Sequence, residues 1–506
     1  MRSRREFFEL AAGMALAAQG SFAQQEDIEE ATITDLQEAL TRGSISAVDL
    51  AKQYLDRIQR IDKSGPRINS VIELNPDVLA IAKQLDDERK AKGPRSPLHG
   101  IPVLAKDNID TGDRMLTSAG SLALMTSAAK DAPVVARLRE AGAVLLGKTN
   151  LSEWANFRSS HSVSGWSGRG GQTRNPYALD RNPSGSSSGT GASVSANLCA
   201  AGVGTETDGS IVSPSSINGL VGIKPTVGLI PGAGIVPVSR RQDTAGPMAR
   251  TVSDAALMLA AMAGASYGKA LDRDGLKGAR IGVARQIMGF NDHVDRLMEA
   301  SIDTIKKLGA EIVDPANIPT LSKLGELENE ALLYEFKADL NSYLEARNGP
   351  VKSLRDVIAF NEKNASTELA YFGQDQMTKA EAKGPVSSRA YQDLVAKLNR
   401  LAKREGIDAV MSKLAIDAII APTDSPAWPI DYVDGDHFTG GSSSAAAIAG
   451  YPHITIPMGF VFGLPVGISF FGSPRTETKL IKYAFAFEQA TKVRKAPKFL
   501  ETVRYA

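Results

Sequence analysis

The chain has 506 residues, 43% of them hydrophobic, and its 58 basic and 57 acidic side chains almost cancel. This length suffices for one large α/β domain or two smaller ones, while the balanced charge argues against nucleic acid as a partner. The single cysteine excludes an intrachain disulfide and a cysteine-rich zinc site.

The N-terminus has the pattern of an export signal. Ser3-Arg-Arg-Glu-Phe-Phe8 carries twin arginines, a mildly apolar stretch spans residues 10–18, and small residues at 21–23 suit a cleavage site. The apolar stretch is too short for a stable membrane span. We therefore expect residues 1–23 to be a twin-arginine signal peptide and the mature protein to be periplasmic or secreted. The alternative is a disordered basic tail.

The following segments alternate between helices and buried strands. Residues 33–61 have apolar positions at helical spacing with a break at 44–46, and residues 77–92 predict another amphipathic helix. Residues 100–105 form an apolar, β-branched run that predicts a buried strand ending at Lys106. At that position the ammonium group would lose solvation and its pKa would fall.

Residues 142–149 match the phosphate-binding P-loop pattern, but their context argues against a nucleotide site. Such a loop follows a strand and opens a helix. Here residues 134–141 predict a helix, and residues 143–146 themselves predict a buried strand with bulky side chains. We therefore expect a core strand at this position.

Two Ser/Gly-rich segments, residues 182–191 and 205–211, carry the chemistry together with Lys106. A serine hydroxyl is a poor nucleophile until a base takes its proton, and a lysine can do so when it is neutral. Lys106, Ser186 and Ser210 therefore supply a base, a relay and a nucleophile without histidine. Ser187 and Ser188 are close competitors of Ser186 for the relay position.

Residues 185–189 also fit the nucleophile elbow of α/β-hydrolases, with Ser187 at its centre. That fold requires a hydrophobic strand just before the elbow, and residues 174–183 do not form one. The downstream histidines His293, His437 and His453 leave a Ser-His-acid triad open on counting alone. Cys199, within the small-residue run 192–201, is expected to lie buried on a tightly packed helix and not to act as a nucleophile.

The second half continues the alternation. Residues 278–283, 294–308 and 310–313 predict strand, helix and strand, and residues 417–422 and 452–458 predict further buried strands. Alternation of this kind implies a largely parallel or mixed sheet covered by helices.

Several segments in order resemble the amidase signature family, which hydrolyses amides with a Lys, cis-Ser, Ser triad. The matching segments are residues 98–109, 147–154, 182–191, 204–212 and 222–228. Within the family, residues 171–177, 185–189, 205–211 and 242–248 are most similar to bacterial peptide amidases. The resemblance implies an α/β/α sandwich around a large mixed β-sheet, with residues 24–506 forming one domain and no cofactor or metal.

Carried over position by position, the resemblance makes Ser210 the nucleophile, Ser186 the relay and Lys106 the terminal base. Ser187 would be either a hydrogen-bonded support residue or a direct participant in proton transfer. The oxyanion hole would be formed by the backbone N–H groups of Thr207, Asp208, Gly209 and Ser210.

The chain departs from the commoner family pattern at three positions and in one segment. Glu206 stands where Asp is usual and Asp208 where Gly is usual, and both occur in the peptide amidase group. Val212 replaces a common arginine, which removes a cation that would pair with an anionic substrate. Residues 321–406 lack the family's core motifs and are polar and helical in pattern, so we expect a helical insertion that shapes the substrate pocket.

The sequence therefore predicts hydrolysis of carboxamides through an acyl-enzyme, with peptide C-terminal amides or related neutral amides as substrates. The enzyme is expected to be a monomer or a homodimer. An aryl-amide, carbamate or ester hydrolase would use the same site. A further alternative is an amidase-like component of a tRNA amidotransferase, against which the export pattern argues, because tRNA is cytosolic.

Overall fold

The computed structural model describes residues 27–347 and 349–505. Fifteen strands lie in these residues: β1 Val71–Leu74, β2 Pro102–Lys106, β3 Leu116–Thr117, β4 Thr126–Ser127, β5 Val144–Thr149, β6 Trp166–Ser167, β7 Gly171–Gln172, β8 Ala201–Glu206, β9 Val221–Lys224, β10 Thr244–Ala249, β11 Arg280–Val283, β12 Glu311–Val313, β13 Ala418–Pro422, β14 His453–Val461 and β15 Leu464–Phe471.

The α-helices of the same residues are α1 Ile33–Arg42, α2 Ala47–Arg57, α3 Val78–Lys92, α4 Pro133–Glu140, α5 Ser188–Ser195, α6 Val212–Ile217, α7 Val252–Ala263, α8 Asp292–Lys307, α9 Gly325–Arg347, α10 Leu354–Lys363, α11 Ala365–Glu368, α12 Asp375–Glu381, α13 Arg389–Ala402, α14 Asp408–Leu414, α15 Ser443–Ala449 and α16 Glu477–Thr491.

Eleven strands form one mixed sheet in the order β1-β5-β2-β8-β10-β9-β14-β15-β13-β11-β12. Strands β5, β2 and β8 run parallel to one another, as do β13, β11 and β12, and the strands between these two groups are antiparallel. Every residue of β2, β5 and β8 is buried, as expected for parallel strands covered by helices. The predicted α/β fold around a large mixed sheet is confirmed.

The parallel pairing of β2 with β8 positions the site. Ala105 lies opposite Val203 in this ladder, so the carboxyl ends of the two strands meet at one edge of the sheet. Lys106 ends β2 and Glu206 ends β8. Helix α5 precedes β8 and begins beside this edge, because Ser187 at its N-terminus is bonded to Thr205 of β8.

The predicted break at residues 44–46 separates α1 from α2, and Ser46 caps α2 by accepting a hydrogen bond from the Asp49 backbone N–H at 3.0 Å. The P-loop-like segment forms β5 after α4, as expected from its context. Its Lys148 is buried and donates hydrogen bonds to Ile109 O at 2.7 Å and Thr117 Oγ1 at 2.8 Å. This segment is therefore part of the core.

The expectation that Cys199 lies on a helix is wrong. Helix α5 ends at Ser195, and Cys199 lies in the turn that leads into β8, although it is fully buried as expected. Asn197 adopts the left-handed conformation with φ 57°, and the Leu198 N–H donates to Ser193 O at 2.9 Å. This Schellman-type pattern terminates the helix. Burial also raises the pKa of the Cys199 thiol to about 12, which keeps it protonated.

Residues 321–406 are predominantly helical, comprising α9 to α13 and a short 3-10 turn. Their apolar side chains form a cluster with loop residues of the main body, including Ala119, Trp154, Phe157 and Val236. Among the described residues, no helix combines the length and apolar character needed to cross a bilayer. The predicted export signal lies outside the described residues.

Candidate active site

Lys106 lies fully buried at the edge where β2 and β8 end. Its Nζ is 2.7 Å from Ser186 Oγ, 2.9 Å from Thr205 Oγ1 and 3.3 Å from Thr205 O. The structure thus brings together two residues that are 80 positions apart in the chain.

Burial lowers the pKa of Lys106 from 10.5 to about 7, and the negative charges of Asp243 and Glu206 partly oppose this shift. A neutral amine has two N–H donors and one lone pair. The Thr205 carbonyl can only accept, and Thr205 Oγ1 can accept the second N–H. The lone pair is then directed at the Ser186 hydroxyl, which is the arrangement that a base requires.

The three consecutive serines have different partners. Ser186 contacts Lys106, and the Gly185–Ser186 peptide bond is cis. The Ser187 hydroxyl donates to Thr205 O at 3.1 Å and accepts from the Thr205 N–H at 3.2 Å, which ties the start of α5 to β8. The Ser188 hydroxyl is hydrogen-bonded to Ser152 Oγ at 3.2 Å. The geometry therefore favours Ser186 as the relay and a supporting role for Ser187.

Ser210 lies in the loop between β8 and α6 and is 8% exposed. The Ser210 carbonyl accepts a hydrogen bond from the Ser187 N–H at 3.2 Å, so the Ser210 backbone packs against the segment that contains Ser186 and Ser187. Within residues 27–347 and 349–505, no hydrogen bond engages the Ser210 hydroxyl. That hydroxyl is therefore not committed to a structural contact.

The loop that carries Ser210 is shaped by Glu206. Its Oε2 accepts from the N–H groups of Ile211 at 2.8 Å and Val212 at 3.0 Å, which closes the loop on itself. Gly209 has φ 80°, a conformation that favours glycine. In the described part of the chain, the N–H groups of Asp208, Gly209 and Ser210 have no acceptor. Successive unpaired N–H groups of this kind form an anion-binding concavity.

A cavity of about 290 Å³ lies next to the two serine segments. Its lining includes Gly185 and Gly209, the residues before Ser186 and Ser210, but not these two serines themselves. The lining comprises Asn156, Ser164, Ser184, Gly185, Asp208, Gly209, Val212, Ser213, Thr423, Asp424, Trp428, Asp436, Phe438, Ser443 and Ser444. Val212 is among them, so the position where the family often has arginine does face this space. None of the residues described within 321–406 lines this cavity, and the substrate-shaping role of that segment stays a prediction.

Comparison with known proteins decides the family. The model of the family described as Amidase matches residues 49–481. The chain belongs to the amidase signature family. It is 44% identical to a probable amidase of Arabidopsis thaliana, covering 94% of this chain and 92% of the relative. The solved peptide amidase of Stenotrophomonas maltophilia is 48% identical with a TM-score of 0.89, covering 93% of this chain and 99% of that one. A glutamyl-tRNA(Gln) amidotransferase component of Pseudomonas syringae is 33% identical, covering 91% and 97%.

These matches identify the protein as an amidase, a hydrolase of amide bonds. The α/β-hydrolase alternative does not fit the structure, since residues 174–185 form no strand longer than an isolated bridge. The histidines that kept it open are engaged elsewhere: His293 with Arg296, His437 with Asp431 and His453 with Ser469.

Three further residues of the amidase site, Thr205, Asn108 and Asp243, could not be predicted from the sequence patterns. Thr205 is hydrogen-bonded to Lys106 and also accepts from Asn108 Nδ2 at 2.9 Å. Asp243 accepts from Thr207 Oγ1 at 2.6 Å and its charge acts on Lys106. All three lie in segments that resemble the family, and this resemblance was the only sequence signal for them. The spacing of the residues along the chain does not predict the contacts between them.

Proposed function

We propose that the amidase hydrolyses carboxamides, with peptide C-terminal amides as the main class, through a relay of Lys106, Ser186 and Ser210. The observation that carries this proposal is the 2.7 Å contact between the buried Nζ of Lys106 and Ser186 Oγ. It places a lysine of lowered pKa against a hydroxyl, next to a loop with unpaired N–H groups.

In the proposed reaction, neutral Lys106 takes the proton of Ser186 as Ser186 takes the proton of Ser210, whose oxygen attacks the substrate carbonyl. The N–H groups of residues 207–210 stabilise the oxyanion of the tetrahedral intermediate. The relay then returns a proton to the leaving nitrogen, so that ammonia departs and an ester to Ser210 remains. Water attacks this ester by the same relay, which releases the acid and restores the three side chains.

The similarity to the Stenotrophomonas maltophilia peptide amidase supports a peptide amide as the substrate. Val212 is consistent with this class, because it provides no cation for a carboxylate beside the reacting carbonyl. A cavity of about 290 Å³ is at the small end of ligand pockets and suits a chain end rather than a passing chain. Aryl amides, carbamates and esters use similar tetrahedral intermediates and are the alternatives on this site.

The experiment that tests the substrate class compares three reactions. Ammonia release from an amidated dipeptide is expected to be faster than cleavage of the internal bond of the same peptide and than hydrolysis of an aryl anilide. The measurement is kcat/KM for each, with the free-acid dipeptide as control for internal cleavage. Faster turnover of the anilide would contradict the peptide amide assignment and leave the triad proposal standing.

A pH profile tests the protonation state of Lys106. Since burial lowers its pKa to about 7 and the neutral form is the base, kcat/KM is expected to rise about tenfold per pH unit below pH 7 and to level off above it. The ionised form of Asp243 raises this pKa, and burial raises the pKa of Asp243 itself to about 7. Asp243→Asn removes that charge, so the inflection is expected to move to lower pH. A profile without an inflection between about pH 6 and 8 would argue against Lys106 as the base.

The amidotransferase relative supports a second candidate, an amidase component that acts only with a partner protein. Activity of the isolated chain on a peptide amide separates the two, because an obligate component would show activity only when its partner copurifies.

We further propose that the protein is exported by the twin-arginine route, on the basis of residues 1–23. A reporter fused to residues 1–30 is expected to reach the periplasm, and the double change of Arg4 and Arg5 to Lys is expected to block its export. The single change of Arg2 to Lys, outside the pair, serves as the control. Unchanged export in the double variant would assign the segment to another pathway.

A further inference from the structure

Three acidic residues, Asp208, Asp424 and Asp436, belong to the lining of the cavity next to the two serine segments. Its lining, drawn from the described residues, includes no lysine, arginine or histidine. The described ion pairs also leave these three carboxyls without a basic partner. Ionisation of these acids therefore gives the lining of the cavity a negative charge.

Asp436 is held by neutral donors on both oxygens. It accepts from Ser164 N at 3.0 Å, Ser164 Oγ at 2.5 Å, Asn182 Nδ2 at 3.0 Å and Trp428 Nε1 at 3.1 Å. Burial raises the pKa of Asp436, and these hydrogen bonds and nearby His437 oppose the shift by stabilising the ionised carboxylate. The hydrogen bonds do not neutralise its charge. The negative potential of Asp436 thus remains available to a ligand in the cavity.

Asp424 is fully buried and has no charged hydrogen-bond partner. Its Oδ1 accepts from the Ser425 N–H at 2.7 Å, and its Oδ2 accepts from the Ser213 hydroxyl. Burial raises the pKa of Asp424 to about 7, and hydrogen bonds to Ser213 and Ser425 oppose the shift. A cation placed in the cavity would favour the ionised form and be bound in return.

Two further features of the cavity favour a cation. The carboxyl of Asp208, on the oxyanion loop, contacts the buried carboxyl of Glu328, so a fourth acid lies next to the cavity. Trp428 and Phe438 present aromatic rings whose centroids are 6.3 Å apart in an edge-to-face arrangement. Aromatic faces attract ammonium groups, most strongly where water is excluded.

We propose that this cavity selects amides that carry a protonated amine, an inference that rests on the proposed amidase reaction at Ser210. The amine is either the free N-terminus of a short peptide amide or the side chain of a basic residue. The same carboxyls repel the carboxylate product, so hydrolysis replaces a bound neutral amide with a group that the cavity disfavours. The potential thereby assists release of the acid as well as binding of the substrate.

A charge-matched substrate series tests this inference. N-acetyl-lysinamide and N-acetyl-norleucinamide differ in the terminal amine and share the aliphatic stem. The wild-type kcat/KM is expected to be at least about tenfold higher for the lysine amide, the effect of one unscreened charge at a few ångströms in a partly buried site. Glycyl-phenylalaninamide and its N-acetyl derivative form the second arm, which shows whether a terminal amine serves as well as a side-chain amine.

Variants identify the carboxyls that cause the preference. Asp424→Asn and Asp436→Asn are each expected to reduce the lysine-to-norleucine ratio several-fold, whereas Asp434→Asn, an exposed acid on the same loop outside the lining, should leave it unchanged. The ratio compares two substrates of one variant, so a general loss of activity does not alter it. Added salt should also lower the wild-type ratio, which covers the case that both variants fail to fold.

A ratio near one in both arms for the wild type, with brisk hydrolysis of the neutral amides, would overturn the cation preference and leave the proposed function intact. A fall of the lysine-to-norleucine ratio in Asp434→Asn as large as in Asp424→Asn and Asp436→Asn would also overturn the proposal. The net charge of the protein, and not the cavity, would then explain the preference. Absence of hydrolysis of every amide in the series would refute the proposed function itself.

Discussion

Replacing Ser210 with alanine is expected to lower kcat by about 1000-fold or more, because it removes the hydroxyl proposed to attack the substrate carbonyl. Ser186→Ala and Lys106→Met should each lower kcat by about 100-fold to 10,000-fold, the usual range when general base catalysis is lost. Lys106→Met keeps the length of the buried side chain, so the loss can be assigned to the amine. Ammonia release from an amidated dipeptide measures the rates.

Because the proposed relay would act as a unit, the effects of these changes on kcat are not expected to add. The double variant Ser186→Ala/Lys106→Met should be no slower than the slower of the two single variants. Ser188→Ala is the matched control, since its hydroxyl is bonded to Ser152 and not to Lys106. Near-normal activity in Ser186→Ala together with its loss in Ser188→Ala would reassign the relay.

Gly209→Ala is expected to reduce kcat by about 100-fold to 1000-fold with little change in KM, the size of effect found when an oxyanion donor is lost. Gly209 has φ 80°, and a Cβ at this position would lie 3.1 Å from Ser443 Oγ. An alanine would therefore meet both an unfavourable backbone conformation and a close contact with Ser443. The loop must shift to relieve them, which turns the N–H groups of Asp208 and Ser210 away from the point where charge develops.

The control for this prediction is Gly463→Ala in the turn between β14 and β15. Gly463 has φ 81°, and a Cβ there would meet nothing within 4 Å, so the conformational cost is matched without a change at the site. Both variants should lose similar stability in thermal unfolding, but only Gly209→Ala should lose kcat. Equal activity of the two variants would remove this loop from the oxyanion hole.

Local chemistry explains why many elements could be predicted. The strand before Lys106 is an unbroken apolar run, and the break between α1 and α2 contains the serine that caps α2. Both features depend on residues within one turn or one strand, so sequence patterns report them directly. The end of α5 at Ser195 was not predicted, because small residues continue past it and the left-handed conformation of Asn197 that terminates the helix leaves no periodic signal.

By itself, the sequence determined the fold class, the strand that ends at Lys106, and the two serine segments with their family. Only the tertiary structure decided that Ser186, and not Ser187 or Ser188, meets Lys106, since the three hydroxyls differ in direction and not in sequence context. It also brought Asp424 and Asp436 into a cavity with Gly209, more than 200 positions away. Such proximity follows from the pairing order of the whole sheet, which no local stretch of residues specifies.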